Sequence, residues 1–280
     1  MKPCSTLATL VLTFSLSFSS AIQADENFRS RAHHENSNID ISEDIDAEIR
    51  FGKTVAARIL GQFPPYENEK LAHYINLVGK SLASYSSRDE IDYHFAVLNA
   101  DFINAYSAPG GYIFVTKGAI RAMRDESELA AVLAHEIAHI TEKHIVKEFK
   151  IKGKEKSATS GISQILGSSQ SSTQVLFTQA VDNAVNKLMK EGFKQNDEFE
   201  SDKVALTLLA ATGYDPKAMH RYLKRIQKLT AKEEKKSGQK PTHPPTSERL
   251  KTLNRIAKDD GLNKLKLPRG EKRFAKYAIK

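Results

Sequence analysis

The sequence predicts a predominantly helical α+β fold, on three observations. Several long stretches carry apolar residues at helical spacing, and two short ones alternate as half-buried strands do. Proline- and glycine-containing breakers separate these stretches at short intervals. The periodic part runs over residues 39–258, enough apolar sequence in a 280-residue chain for one substantial domain. We read it as a single domain with a small sheet beside one especially apolar helix. Residues 1–24, 25–38 and 259–280 lie outside it.

Each element has its own signal. Lys2, the apolar run Leu7–Phe18 and the small residues Ser19, Ser20 and Ala21 read as a secretory signal, with cleavage expected after Ala21 or Ala24. The only cysteine, Cys4, precedes the apolar run and leaves with it, so neither a disulfide nor a lipid attachment is expected. No later stretch is long and apolar enough to cross a bilayer, which leaves peripheral membrane association at most. Residues 25–38 are polar and expected to be disordered. Ile39–Gly61 and Glu67–Ser84 are amphipathic helices divided by Phe63-Pro64-Pro65, with no chemistry of their own; His73 reads as a surface or packing residue.

Asp92–Leu98 alternates as a strand, and 101–116 forms two β segments around the turn Pro109-Gly110-Gly111. The second contains Tyr112, Ile113, Phe114 and Val115. Its edge either pairs with an extended substrate or belongs to an ordinary hairpin. Residues 152–174 are rich in Ser, Gly and Lys and serve as a mobile lid or a flexible linker. Helices follow over Val175–Met189 and from Gln195 to Gly213. Lys217–Leu229 is amphipathic and Lys232–Lys240 a charged connector. Thr242-His243-Pro244-Pro245-Thr246 opens a last helix to about Lys258, and 259–280 is a basic, peripheral tail.

The net charge of +8 and a pI near 9.3 raise the question of nucleic acid. The basic residues are dispersed, however, and no finger, RNP-type or helix-turn-helix pattern accompanies them, so no nucleic-acid partner is expected.

The chemistry lies in Asp125–Lys147. Asp125 and Glu128 form a capping box, and Leu129, Val132, Leu133 and Ile140 recur on one helical face. Within this helix stands His135-Glu136-Ile137-Ala138-His139. Histidines at i and i+4 stack on one face and can share one ion, and the adjacent Glu136 can reach a water held there. A catalytic zinc takes three protein ligands, so the third comes from another element. Glu198 and Asp202, at i and i+4, suit a ligand and an acceptor for a ligand imidazole N–H, respectively. Glu200 faces elsewhere, although spacing does not exclude it as the ligand. His243 and Arg249 are candidates to stabilise a developing oxyanion, with a structural salt bridge the other reading of Arg249. His144, five residues past His139, turns away from the ligand face and packs or caps. The default cofactor is one zinc ion.

Four blocks, NAYSAPGGYIFVTKGAI (104–120), ELAAVLAHEIAHITEKH (128–144), NDEFESD (196–202) and THPPTSERL (242–250), occur in an order that resembles the CAAX-prenyl-protease-type zinc metallopeptidases, metallopeptidase family forty-eight. The likeness is greatest to its bacterial periplasmic branch, which acts in outer-membrane protein quality control. The resemblance implies a gluzincin-type domain with His135, His139 and Glu198 as zinc ligands and Glu136 as general base. It implies that Asp202 orients His135 or its neighbourhood and that His243 approaches the zinc, assisting the transition state or closing the open position. Arg249 would support that site, and Tyr112–Val115 would hold the substrate backbone. Ser107 stands where a larger apolar residue is expected, and Ser201 where alanine is common. The helical-repeat extension of some relatives is not expected to follow. The function implied is a periplasmic zinc endopeptidase of unfolded or misassembled polypeptides, with outer-membrane proteins or their assembly machinery as partners. The alternatives are a zinc-binding, chaperone-like module closed by His243 and a hydrolase of cell-wall peptides.

Overall fold

The computed structural model describes residues 41–152, 171–237, 242–243 and 246–279. The signal sequence, its cleavage points, residues 25–38 and residues 153–170 of the lid or linker segment lie outside these. The described elements in chain order are α1 (Ile41–Gln62), α2 (Glu69–Ala83), β1 (His94–Leu98), β2 (Ala105–Ala108), β3 (Tyr112–Thr116), α3 (Lys117–Ala122), α4 (Glu126–Thr141), α5 (His144–Phe149), α6 (Ser171–Asn186), a π-helical turn (Lys187–Glu191), α7 (Gln195–Ala211), α8 (Lys217–Ser237), α9 (Ser247–Asp259), a 3-10 turn (Leu262–Lys264) and α10 (Glu271–Tyr277). No described helix is long and apolar enough to cross a membrane.

Every residue of α4 is buried. Its apolar residues form the centre of one core with α2, β1, β3, α7 and α8, while α1, α6 and the opposite face of the hairpin form a second. The helix starts where the sequence predicts: the Asp125 side chain accepts from Glu128 N at 2.9 Å, although the Glu128 carboxylate reaches back to Arg124 N rather than Asp125 N. The buried carboxylates of the first turn have partners. Tyr74 and Tyr214 hydroxyls donate to Glu126 at 2.7 and 3.0 Å, Arg273 clamps the same carboxylate, and Arg225 holds Glu128. Without such partners, carboxylates at this depth would cost several kcal/mol each.

The sheet has the order β1-β3-β2, with β1 parallel and β2 antiparallel to β3. Gly110 and Gly111, at φ of 71° and 94°, make the turn between β2 and β3. That turn lies against α1 so closely that a Cβ on Gly52 would stand 1.7 Å from Pro109 O. The order corrects one expectation. Tyr112, Ile113, Phe114 and Val115 belong to the central strand, so both of their edges are already paired and cannot take a substrate strand. The sheet's two outer strands are β1, whose end bridges to Pro65, and β2.

Two further boundaries differ from expectation. The charged connector continues α8 as helix to Ser237, because Lys and Glu are good helix formers even where nothing apolar recurs. Nor is the C-terminal segment simply peripheral: Phe274 is buried, Tyr277 stacks on Tyr74 at 4.4 Å, and Arg273 reaches the base of α4. Accordingly, Phe274→Ala should lower unfolding free energy by about 3–5 kcal/mol in urea denaturation, the usual cost of emptying an aromatic site. A tail that only rested on the surface would lose less than about 0.5 kcal/mol.

Candidate metal centre

His135 and His139 come to the same side of α4 by their one-turn spacing, and α7 packs across that side. Glu198 and Asp202 project from the facing surface of α7, and His243 arrives from the segment preceding α9. Thr242 fixes that segment, donating its hydroxyl to Asn104 Oδ1 at 3.0 Å and lying against Gly192, where any Cβ would collide with Thr242 O. His135, His139 and Glu198 are buried, with His243 slightly more open.

The donor atoms are spaced as an ion requires. His135 Nε2 and His139 Nε2 lie 3.1 Å apart; His139 Nε2 is 3.4 Å from Glu198 Oε1 and His135 Nε2 3.5 Å from Glu198 Oε2. Ligands about 2.0–2.1 Å from a tetrahedral zinc are separated by about 3.4 Å, so these distances match the edges of such a coordination figure. His243 Nδ1 occupies a fourth corner, 2.8 Å from Glu198 Oε1 and 3.4 Å from His135 Nε2. The donor set of imidazoles and one carboxylate is that of a zinc site. Glu198 Oε2 carries no well-directed hydrogen bond, although Arg249 Nη1 stands 2.6 Å away, which leaves it a lone pair for a cation.

Behind the donors lies a charged layer. His135 Nδ1 is 3.1 Å from Asp202 Oδ1, within reach of a hydrogen bond after a small turn of the ring. Arg249 donates through Nε and Nη2 to both Asp202 oxygens at 2.9 and 2.7 Å, and its third nitrogen faces Glu198. Its guanidinium is thus committed to two carboxylates and is not aimed at a developing oxyanion. The structure favours the salt-bridge reading of Arg249 over the oxyanion donor. Burial would raise the carboxyl pKa of Glu198, but His243 and Arg249 outweigh it and hold the group well below the usual range. Burial likewise opposes ionisation of Asp202, which Arg249 and His135 hold down. His135 loses by burial and gains more from Asp202 and Glu198, and is pushed up to about 9. His139 falls well below its ordinary value, through burial and the neighbouring positive rings.

Glu136 is buried on the site's other side, beside β2. Ser107 donates its hydroxyl to Glu136 Oε2 at 2.8 Å, and His243 Nε2 is 3.8 Å from Oε1. Sequence reading noticed Ser107 only as a departure from an apolar position; a hydroxyl facing a motif glutamate was the available signal. It missed Phe193, whose ring stacks on His139 at 4.0 Å. It also sent His144 and Glu200 away from the site. Instead His144 Nδ1 is 2.9 Å from His139 Nδ1, and His144 Nε2 is 3.1 Å from Glu200 Oε2. A small apolar pocket opens next to His135 and Glu136, lined by Val132, Met219, Tyr222, Leu223 and Ile226.

The model of peptidase family M48 matches residues 69–257. Among curated proteins, the beta-barrel assembly-enhancing protease of Escherichia coli (strain K12) is 28% identical over 184 residues, 65% of this chain and 38% of that one. The mitochondrial metalloendopeptidase OMA1 of Arabidopsis thaliana is 27% identical over 178 residues, covering 62% and 33%. Metalloprotease LoiP of Escherichia coli is 24% identical over 195 residues, covering 70% and 74%. The chain therefore spans about two fifths of the assembly-enhancing proteases it matches.

The position of His135 gives a pH signature. With its folded pKa near 9 and an unfolded value near 6.5, the ring's contribution to stability is complete below pH 6.5. That contribution is lost as pH rises through about 9. A metal must displace the same proton, so zinc affinity should move the opposite way, rising by about tenfold per pH unit over this window. Chelator-competition titration from pH 6.5 to 9 checks this, and an affinity that stays flat would contradict it.

Proposed function

The chain belongs to peptidase family M48, and from that premise we propose that it is a zinc-dependent endopeptidase acting on unfolded or misassembled polypeptides. One observation carries the proposal: His135, His139 and Glu198 converge at the spacing of a zinc coordination figure, with the Glu136 carboxylate alongside. Zinc bound there would supply a Lewis acid that makes water a nucleophile near neutral pH and polarises the scissile carbonyl.

The remaining steps belong to the chain's own residues. Ser107 holds Oε2 of Glu136, leaving the carboxylate fixed in orientation toward the ligand cluster. Glu136 accepts the proton of the attacking water and returns it to the leaving amide nitrogen. Asp202 and Arg249 hold His135 and Glu198 in place while charge builds up. The substrate backbone is proposed to lie along β2. Thr116 N donates to Asn104 O, and pairing alternates along an antiparallel ladder, so the main-chain groups of Ala105 and Ser107 point outward. An extended peptide added there would run past Glu136, and the neighbouring apolar pocket would take an apolar side chain beside the cut bond.

The name of the assembly-enhancing proteases supports β-barrel proteins that have failed to assemble as the substrate class. The signal-like N-terminus supports export and a periplasmic location. A second reading has its own observation. His243 Nδ1 stands at the fourth corner, 2.8 Å from Glu198, in the position that water or substrate needs. On this reading the described conformation is a closed one, opened when the segment carrying His243 moves aside.

Incubation with an unstructured protein, with and without chelator, tests both readings. Glu136→Gln should retain zinc and lose about 10²–10⁴-fold in cleavage rate. Cleavage that persists in Glu136→Gln or survives chelation contradicts the mechanism. His243→Ala should cut faster than wild type if the ring closes the site; slower cutting would return His243 to a supporting role in catalysis.

A further inference from the structure

His139 is held by a path that differs from that of His135. The two Nδ1 atoms of His139 and His144 are 2.9 Å apart. Two ring nitrogens at that distance share one hydrogen: two bare lone pairs repel, and so do two N–H groups. His144 Nε2 faces Glu200 Oε2 at 3.1 Å, and an ionised carboxylate only accepts, so Nε2 carries hydrogen. Burial of both rings favours neutral imidazoles, so His144 Nδ1 is bare and the shared hydrogen sits on His139 Nδ1. That leaves His139 Nε2 as a lone pair, aimed at the point where His135 and Glu198 also converge.

We infer that His144 and Glu200 form a positioning relay that sets the tautomer and orientation of His139 for metal binding. It stands opposite the path through Asp202 and Arg249 behind His135. The inference rests on the zinc reading above and extends it to two residues that touch neither the metal nor the substrate.

Backbone geometry explains how His144 gets there. In an unbroken helix a residue at i+5 points roughly 140° away from residue i. Here α4 stops at Thr141, and Lys143 adopts a left-handed conformation at φ of 56°, restarting the chain as α5 with His144 folded back onto His139. A non-glycine residue in that region carries a conformational cost, which the surrounding structure must offset. Glu200 is supplied by α7, between Glu198 and Asp202, and its side chain is half-exposed. It can therefore be changed without emptying the core.

The test is zinc affinity of the full chain by competition with a chelator of known affinity, alongside thermal melts of the chelator-treated protein. Glu200→Ala and His144→Phe should each weaken zinc binding about 10–100-fold, the usual effect of removing an outer partner of a ligand histidine. Glu200→Gln keeps a carbonyl acceptor for the His144 N–H and should stay within about threefold of wild type. In a His144→Phe background, Glu200→Ala should add nothing, because the path is already cut. The relay is overturned if Glu200→Ala binds zinc as wild type does, if Glu200→Gln is as weak as Glu200→Ala, or if the two effects add. A wild-type chain that binds no zinc would overturn the metallopeptidase reading itself, a result distinct from any of these. A His144→Phe melt that collapses leaves the two Glu200 variants to decide.

Discussion

Three carboxylates buried within one small volume set the terms for the rest of the molecule. Glu136, Glu198 and Asp202 are each almost fully shielded from water, and the guanidinium of Arg249 is shielded with them. Ionised groups at such depth are tolerated only when each is matched by opposite charge and hydrogen bonds. Arg249 supplies one positive charge, shared between Asp202 and Glu198. A divalent ion between the imidazoles and Glu198 would supply two more and bring the cluster to neutrality. The upward shift of His135 follows from the same imbalance, since a proton on that ring is the protein's own substitute for part of the missing charge.

The architecture serves this requirement. A helix buried on all sides, α4, holds both histidines rigidly, and its acidic first turn is held by arginines and tyrosines contributed from α2, α8, α10 and the connection before α8. Helix α7 crosses it and delivers Glu198, Glu200 and Asp202 along little more than one turn. Each has different neighbours: Glu198 faces the Nε2 atoms of His135 and His139, Glu200 stands behind His144, and Asp202 stands behind His135. The hairpin brings Ser107 to Glu136 on one face of β2, the strand at one edge of the sheet. On the proposed function, recognition and chemistry would sit next to each other on rigid elements.

Much of this was legible in the sequence. The longer helices were readable from apolar periodicity, and the start of the motif helix with its Asp125 cap was placed within a residue, because both signals are local; its end at Thr141 and the short helices α3 and α10 were not. Glu198 and Asp202 were identifiable because a one-turn spacing forces two side chains onto one face. What escaped depends on contacts between distant segments or on local breaks in helical geometry. Strand order is not written in a strand's own sequence, so β3 reads equally as a substrate edge or as part of an ordinary hairpin, whereas it is the centre of the sheet. His144 was sent away because i+5 spacing presumes a continuous helix, and Lys143 breaks it. Arg249 was a candidate for the oxyanion until its three nitrogens were seen to face Asp202 and Glu198. Phe274 and Tyr277 sit in a strongly basic segment, whose composition conceals that two aromatic rings anchor it.

One ion is proposed to sit where two imidazoles of a single helix and a carboxylate of another meet. Anomalous diffraction from crystals of the zinc-treated chain, recorded on both sides of the zinc absorption edge, examines that point directly. A single strong peak is expected within about 2.0–2.2 Å of His135 Nε2, His139 Nε2 and an oxygen of Glu198. A peak elsewhere on the chain, or none between these residues in zinc-treated crystals, would contradict it.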